Sequence, residues 1–176
     1  MSRSNVPRIR RAGEADLDAV ACIGRATFAA HFGSWWTPAG LAEHLERDFK
    51  RSRLAEELAA PDVHYWLAEA EGRVAGFAKL KTGSASPSGR GCGLELQKLY
   101  FEPGSTGRGW GTRMLGEALD FAREYRQPFL WLDVFKPNLR ARRLYERAGF
   151  EVAGERPFAS DRWEIGQWVM ERPLQP

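Results

Sequence analysis

Between Met114 and Ala148 the apolar residues change period twice, and that order demands a sheet covered by helices. Met114, Ala118, Phe121, Ala122 and Tyr125 recur at helical spacing on a helix that follows Gly111. Phe129–Phe135 is then a short, mostly apolar run, as expected of a strand buried on both faces. Ala141, Leu144, Tyr145 and Ala148 return to helical spacing on a helix over Asn138–Ala148, stopped by Gly149.

The flanking segments fit the same plan. Arg8–Arg11 reads as a first strand, and Glu14, Asp16 and Asp18 open a helix where negative charge meets the positive end of the dipole. Leu17, Val20, Ala21, Gly24 and Phe28 form its stripe, and the segment from His31 to Pro38 breaks it. Thr37 followed by Pro38 is an N-cap and N1 pair for a second helix through about Arg47, and Arg51–Ala60 is a third. Val63–Glu69 and Arg73–Lys81 are strand-like around a Glu71-Gly72 turn. Thr82–Gly93, rich in Gly and Ser, reads as a mobile loop. Leu94–Phe101, Glu151–Phe158 and Trp163–Glu171 supply further strands. No repeat or linker divides the 176 residues, so one α/β domain is expected, with its core over residues 8–172.

Composition excludes several function classes. No apolar run approaches the roughly 20 residues of a membrane span, and Met1–Arg11 lacks the apolar stretch of a secretory signal. Cys22 and Cys92 are far apart with no Cys or His at metal-ligand spacing, so no disulfide framework or metal site is expected and a reducing cytoplasm fits. Cys22 reads as a small buried side chain and Cys92 as a loop thiol. A net charge of +3 without a basic tail does not favour nucleic acid, and the pair Arg142-Arg143 reads as a solvated helix face. The charge is unevenly spread: Gly13–Lys50 balances to −3 and Gly104–Gly149 to +4, which draws a cation to the first stretch and an anion to the second.

Gly107-Arg108-Gly109-Trp110-Gly111 lies between a strand and a helix. Glycines let backbone N–H groups approach a ligand, and a helix start adds partial positive charge, so the segment is an anion site or a tight structural turn. Arg108, Arg113 and the Thr112 hydroxyl add to the anion reading. The P-loop pattern is absent, and the third glycine comes one residue too early for the dinucleotide fingerprint. Asn138 and Tyr145, seven residues apart, share one helix face; Tyr145 is either a proton donor or part of the packing stripe, and Asn138 an N-cap or a ligand contact.

Four blocks in order, Leu99-Tyr-Phe-Glu-Pro, Gly107–Gly111, Trp131-Leu-Asp-Val and Asn138-Leu-Arg-Ala-Arg-Arg-Leu-Tyr-Glu-Arg-Ala-Gly-Phe150, resemble the GNAT superfamily of N-acetyltransferases across about Val63–Arg172. Thr27-Phe28, Phe32-Gly33, Thr37-Pro38 and Leu94-Glu-Leu-Gln-Lys-Leu-Tyr100 are similar to its PaiA-like polyamine acetyltransferase group. The resemblance implies a central mixed, mostly antiparallel sheet, splayed between the fourth and fifth strands and flanked by helices. It implies acetyl-CoA as co-substrate and no metal. The backbone of Leu99 and Phe101, with Tyr100 between them, would bond the pantetheine arm; amides from Thr106 through Gly107, Arg108, Gly109, Trp110 and Gly111 to Thr112 would hold the diphosphate. Asn138 would contact the pantetheine region, and Tyr145 would protonate the CoA thiolate. Thr106 departs from the Gln or Arg that usually begins this loop, so weaker or rearranged cofactor contacts are expected.

The implied reaction is direct attack of an amine on the thioester. Deprotonating an alkylamine of pKa near 10.4 at pH 7 costs about 4.6 kcal/mol unless the site helps. Glu95, acting through water, is the candidate base and Asp133 a second; each also reads as a structural carboxylate. The thiol near 8.5 and a tyrosine near 10 make the transfer from Tyr145 close to balanced. Phe28, His31, Trp35 and Trp36 fall around the bend between the first two helices, where aromatic faces beside acidic residues suit a cationic amine, or simply pack. A small-molecule amine, first a polyamine, is the expected acceptor. A protein lysine or N-terminus is the rival, and a non-catalytic CoA-binding regulator is the alternative from another class. A monomer and a homodimer both stay open.

Overall fold

The computed structural model describes residues 6–105 and 107–174. The chain order is β1 (Arg8–Arg11), α1 (Leu17–Phe32), α2 (Pro38–Asp48), α3 (Arg51–Ala59), β2 (Val63–Ala70), β3 (Arg73–Ala85), β4 (Cys92–Phe101), α4 (Trp110–Glu124), β5 (Phe129–Phe135), α5 (Leu139–Arg147), β6 (Glu151–Arg156) and β7 (Gln167–Pro173). Short 3₁₀ turns at Glu14–Asp16, Gly33–Trp35 and Pro103–Ser105 join some of these.

Local chemistry sets the ends. Thr37 accepts the Gly40 amide through Oγ1, with Pro38 opening α2. Glu71 and Gly72 both take positive φ, 54° and 78°, as a type I′ hairpin turn between β2 and β3 requires.

The strands form one sheet in the order β1-β2-β3-β4-β5-β7-β6. Every neighbouring pair is antiparallel except β4 and β5, whose parallel ladder holds only Leu94↔Leu130 and Glu95↔Trp131. Beyond those pairs the strands part, and the opening between them positions the site. One face packs α4 and α5 through Met114, Leu115, Ala118, Phe121 and Tyr145 onto Leu80, Leu94, Leu96, Leu130 and Leu132. The other packs α1, α2 and α3 through Val20, Phe28, Phe32, Phe49 and Leu54 onto Tyr65, Leu67 and Phe77. Each such fully buried side chain contributes on the order of 1.5–3 kcal/mol. This is the expected mixed, splayed α/β architecture.

Three expectations fail. Thr82–Gly93 is half strand: β3 runs on to Ala85 and β4 begins at Cys92. Its Ser and Gly content misled because Gly83, at φ 63°, serves a β-bulge, while the Ser86 and Ser88 hydroxyls and the Arg90 guanidinium all bond the Glu171 carboxylate. The last two strands are shorter on their facing ends: β6 stops before Pro157, and β7 starts only after Gly166 at φ 67°, with one isolated Ala159↔Glu164 bridge between. Cys22 is exposed, because α1 buries Ala21 and Ile23 on either side of it.

No described helix is long and apolar enough to cross a membrane.

Candidate active site

A cleft of about 690 Å³ occupies the opening between β4 and β5 and is floored by the starts of α4 and α5. It receives Leu99, Tyr100 and Phe101 from β4, and Gly107, Gly109, Trp110, Gly111 and Thr112 from the start of α4. It also receives Asn138 and Tyr145 from α5, Glu95 from β4 and Asp133 from β5. Residues spread over fifty positions of chain thus meet at one gap in the sheet.

At one end lies the glycine turn. Gly107 and Gly109 have φ of 78° and 74°, a left-handed backbone that side chains resist, and Gly109 is the N-cap of α4. Gly111 faces α5: a Cβ there would stand 3.4 Å from Leu144. The first amides of a helix have no acceptor within the helix itself, which is the arrangement an anion suits. Arg108 does not line the cleft; its guanidinium lies 5.1 Å over the ring of the buried Trp110. Thr106 lies outside the described residues.

Asn138 performs its capping role, its Oδ1 accepting the Ala141 amide at 3.2 Å, while also facing the cleft. Tyr145 likewise packs in the core and faces the cleft. It is 7% exposed, belongs to the core and packs 5.8 Å from Phe150, yet it reaches the cleft. Burial, with a smaller contribution from Tyr100, pushes its hydroxyl well above the usual tyrosine range. The hydroxyl therefore holds its proton more tightly than an ordinary tyrosine.

Glu95 leaves the opposite face of β4 from Leu94 and Leu96, which pack with Tyr145. Its Oε2 accepts the Ser84 hydroxyl at 2.7 Å and the Gln97 amide at 2.9 Å. Asp133 accepts Arg156 at 2.7 Å through Oδ2 while its Oδ1 is sealed without a hydrogen-bond partner. Burial, outweighing the Arg156 charge and reinforced by Glu95, raises its carboxyl above the ordinary range.

The aromatic residues divide. His31 and Trp35 line the cleft, the His31 Nε2 lying 2.8 Å from the Phe101 carbonyl oxygen and Trp35 packing edge-on to Phe135 at 5.5 Å. Phe28 and Trp36 do not line it. Phe28 points into the core, stacked 4.2 Å from His44, and Trp36 turns behind the 3₁₀ turn onto the same imidazole at 4.7 Å.

Sequence reasoning missed Ser84, Gln97 and Lys98. Gln97 and Lys98 line the cleft. Lys98 is tied to Asp48, Nζ to Oδ2 at 3.0 Å. Alternation along β4 already puts Gln97 on the face of Glu95, but nothing in an alternating pattern marks the bulge that turns Ser84 toward it.

The acetyltransferase (GNAT) family profile matches residues 29–150. The chain is 30% identical to an uncharacterized N-acetyltransferase of Lactobacillus delbrueckii subsp. lactis over 156 residues, 86% of this chain and 88% of that protein. A crystal structure of the Thermoplasma acidophilum PaiA N-acetyltransferase with coenzyme A superposes with a TM-score of 0.75 at 19% identity, covering 99% of this chain and 100% of that one. The ribosomal-protein-alanine N-acetyltransferase of Brucella melitensis gives a TM-score of 0.69 at 25% identity, covering 95% and 99%. The chain belongs to the acetyltransferase (GNAT) family and is an N-acetyltransferase that takes its acetyl group from acetyl-CoA.

Proposed function

We propose that the acceptor is a small-molecule primary amine, a polyamine first, acetylated by direct attack within a ternary complex. The observation that carries this reading is that Glu95 and Tyr145 line one cleft but reach it from opposite faces of the sheet. A base and an acid so placed can serve the two ends of one displacement. The acceptor ammonium gives a proton, through water, to Glu95. The nitrogen forms a bond to the thioester carbon, the C–S bond breaks and the thiolate takes the Tyr145 proton; the second proton lost by the new amide nitrogen returns through water to the Tyr145 oxygen, and Glu95 gives its proton to solvent. A positioned base contributes about 10²–10⁴-fold.

The glycine-turn amides hold the diphosphate in this reading, and the β4 backbone from Leu99 to Phe101 with Asn138 holds the pantetheine arm. His31 and Trp35 wall the acceptor end, and an aromatic face beside a carboxylate favours a cation. The polyamine choice rests on the Thr27–Gly33 and Leu94–Tyr100 segments; the PaiA likeness, at 19% identity, speaks only to the fold. A peptide N-terminus is the second reading, supported by the similarity to the Brucella protein-alanine enzyme.

Thiol release from acetyl-CoA, measured with spermidine, butylamine and a peptide carrying a free N-terminal alanine, separates them. A spermidine signal without a peptide signal is expected. The reverse transfers the assignment to a protein substrate.

A further inference from the structure

Glu95 sits between two β-bulges, one on each strand of the β3–β4 hairpin. On β3, Lys81 pairs with Glu95 and Ser84 with Gly93, so Thr82 and Gly83 together oppose Leu94. Gly83 takes the left-handed φ of 63° that a bulge uses. Without that extra residue, position 83, which has no side chain, would face the Glu95 side of the sheet. With it, Ser84 does. On β4, Lys79 pairs with Lys98 and Leu80 with Leu96, which leaves Gln97 as the additional residue. Gln97, two residues from Glu95, shares its face by ordinary alternation, and the additional residue returns Leu99 to the opposite core.

Ser84 and Gln97 place their donors on the same atom. The Ser84 hydroxyl at 2.7 Å and the Gln97 amide at 2.9 Å meet at Oε2. Ser84 is fixed in turn: its carbonyl accepts the Trp131 indole N–H at 3.1 Å, and Trp131 is the β5 residue paired with Glu95. Two donors converging on one carboxylate oxygen restrict the orientations the Glu95 side chain can take.

We infer that Ser84 and Gln97 are positioning residues for the reaction, holding Glu95 by Oε2 so that Oε1 meets the water or nitrogen that delivers the proton. The inference rests on Glu95 being the base. The β3 bulge supplies the Ser84 arm of the brace, and the Gln97 arm comes from the position two residues along β4 from Glu95.

The test compares Ser84→Ala, Gln97→Leu, Ser84→Thr and Glu95→Gln, singly and with Ser84→Ala and Gln97→Leu each in the Glu95→Gln background. Turnover is measured with whichever of spermidine, butylamine or the alanine peptide wild type acetylates fastest. Ser84→Ala and Gln97→Leu are each expected to lower kcat roughly 10-fold, since small misplacements of a reacting group cost that much or more. The KM for acetyl-CoA should stay within about twofold, and Ser84→Thr, which keeps the hydroxyl, should restore most of kcat. In the Glu95→Gln background neither change should lower kcat further. Full turnover in Glu95→Gln overturns Glu95 as the base. Loss in Glu95→Gln with wild-type kcat in both Ser84→Ala and Gln97→Leu overturns the brace alone. So does an equal further loss in the Glu95→Gln background, which identifies a general structural effect. No thiol release by wild type on any of the three amines overturns the proposed reaction and this inference with it.

Discussion

The Lys79 Nζ lies 2.7 Å from Glu57 Oε1, joining β3 to α3 with both side chains almost sealed from water. Glu57 also accepts the Tyr65 hydroxyl and the Arg53 guanidinium, so one carboxylate satisfies three donors under the helix. Burial works against the charge on both partners, yet Lys79 and Tyr65 keep Glu57 below the ordinary carboxylate range. Glu57→Ala leaves a buried ammonium without its counter-ion and should lower stability by about 3 kcal/mol. Thermal unfolding of Glu57→Ala beside Glu57→Leu/Lys79→Met checks this. The double change should recover most of the loss, and equal loss in both variants contradicts the pairing account.

His44 introduces a pH dependence of stability. Its imidazole, 5% exposed and stacked on Phe28, is held down to about 4 by burial, with Arg47 and Lys98 adding repulsion and Asp48 at 3.7 Å opposing them. The unfolded chain binds the proton near 6.5, so the folded state is favoured above that value and loses the advantage as pH falls from 6.5 to about 4. The loss amounts to about 3 kcal/mol. His44→Phe should flatten the profile in this window, leaving a smaller slope from His64, also held down by burial. Urea unfolding at stepped pH measures it, and an unchanged profile removes His44 as its cause.

Tyr145→Phe removes a hydroxyl and leaves the ring in its place between the core and Phe150. Turnover should fall about 10²-fold through loss of the proton donor. Acetyl-CoA affinity by calorimetry and the unfolding midpoint should scarcely move. Wild-type turnover in the variant assigns Tyr145 to packing alone.

Gly109→Ala tests the anion cradle. Nothing lies within 4 Å of the added Cβ, so no clash arises, but the left-handed φ of 74° costs a side chain about 1–2 kcal/mol. The turn should relax away from its amide-presenting form and weaken acetyl-CoA binding roughly 10-fold. Calorimetry reads this directly; unaltered affinity separates the turn from the cofactor.

Local signals carried most of the fold into the sequence. Thr37 before Pro38, Gly72 after Glu71 and Asn138 ahead of an apolar stripe each act within one turn of chain, so the elements they bound were legible. The glycine-turn side of the cleft was legible for the same reason, since the turn and the Asn138–Tyr145 helix face are each contiguous in the chain. The aromatic side was not. Whether Trp35 or Trp36 faces the cleft depends on how a 3₁₀ turn rotates between two helices, and Phe28 was lost to the core because His44 stacks on it from another helix. Lys79 and Glu57 meet only after two elements pack. Ser84 was hidden because a glycine-serine stretch carries the same composition whether it forms a loop or a bulged strand.

The strand order also decides what one strand holds in place. β7 lies between β5 and β6, pairing Gln167–Pro173 with both, so Glu151–Arg156 is joined to the described sheet through β7 alone. Local opening of β7 would therefore release two strands at once and carry Gln167, which lines the cleft, away with them. The far wall of the cleft is as stable as that single strand.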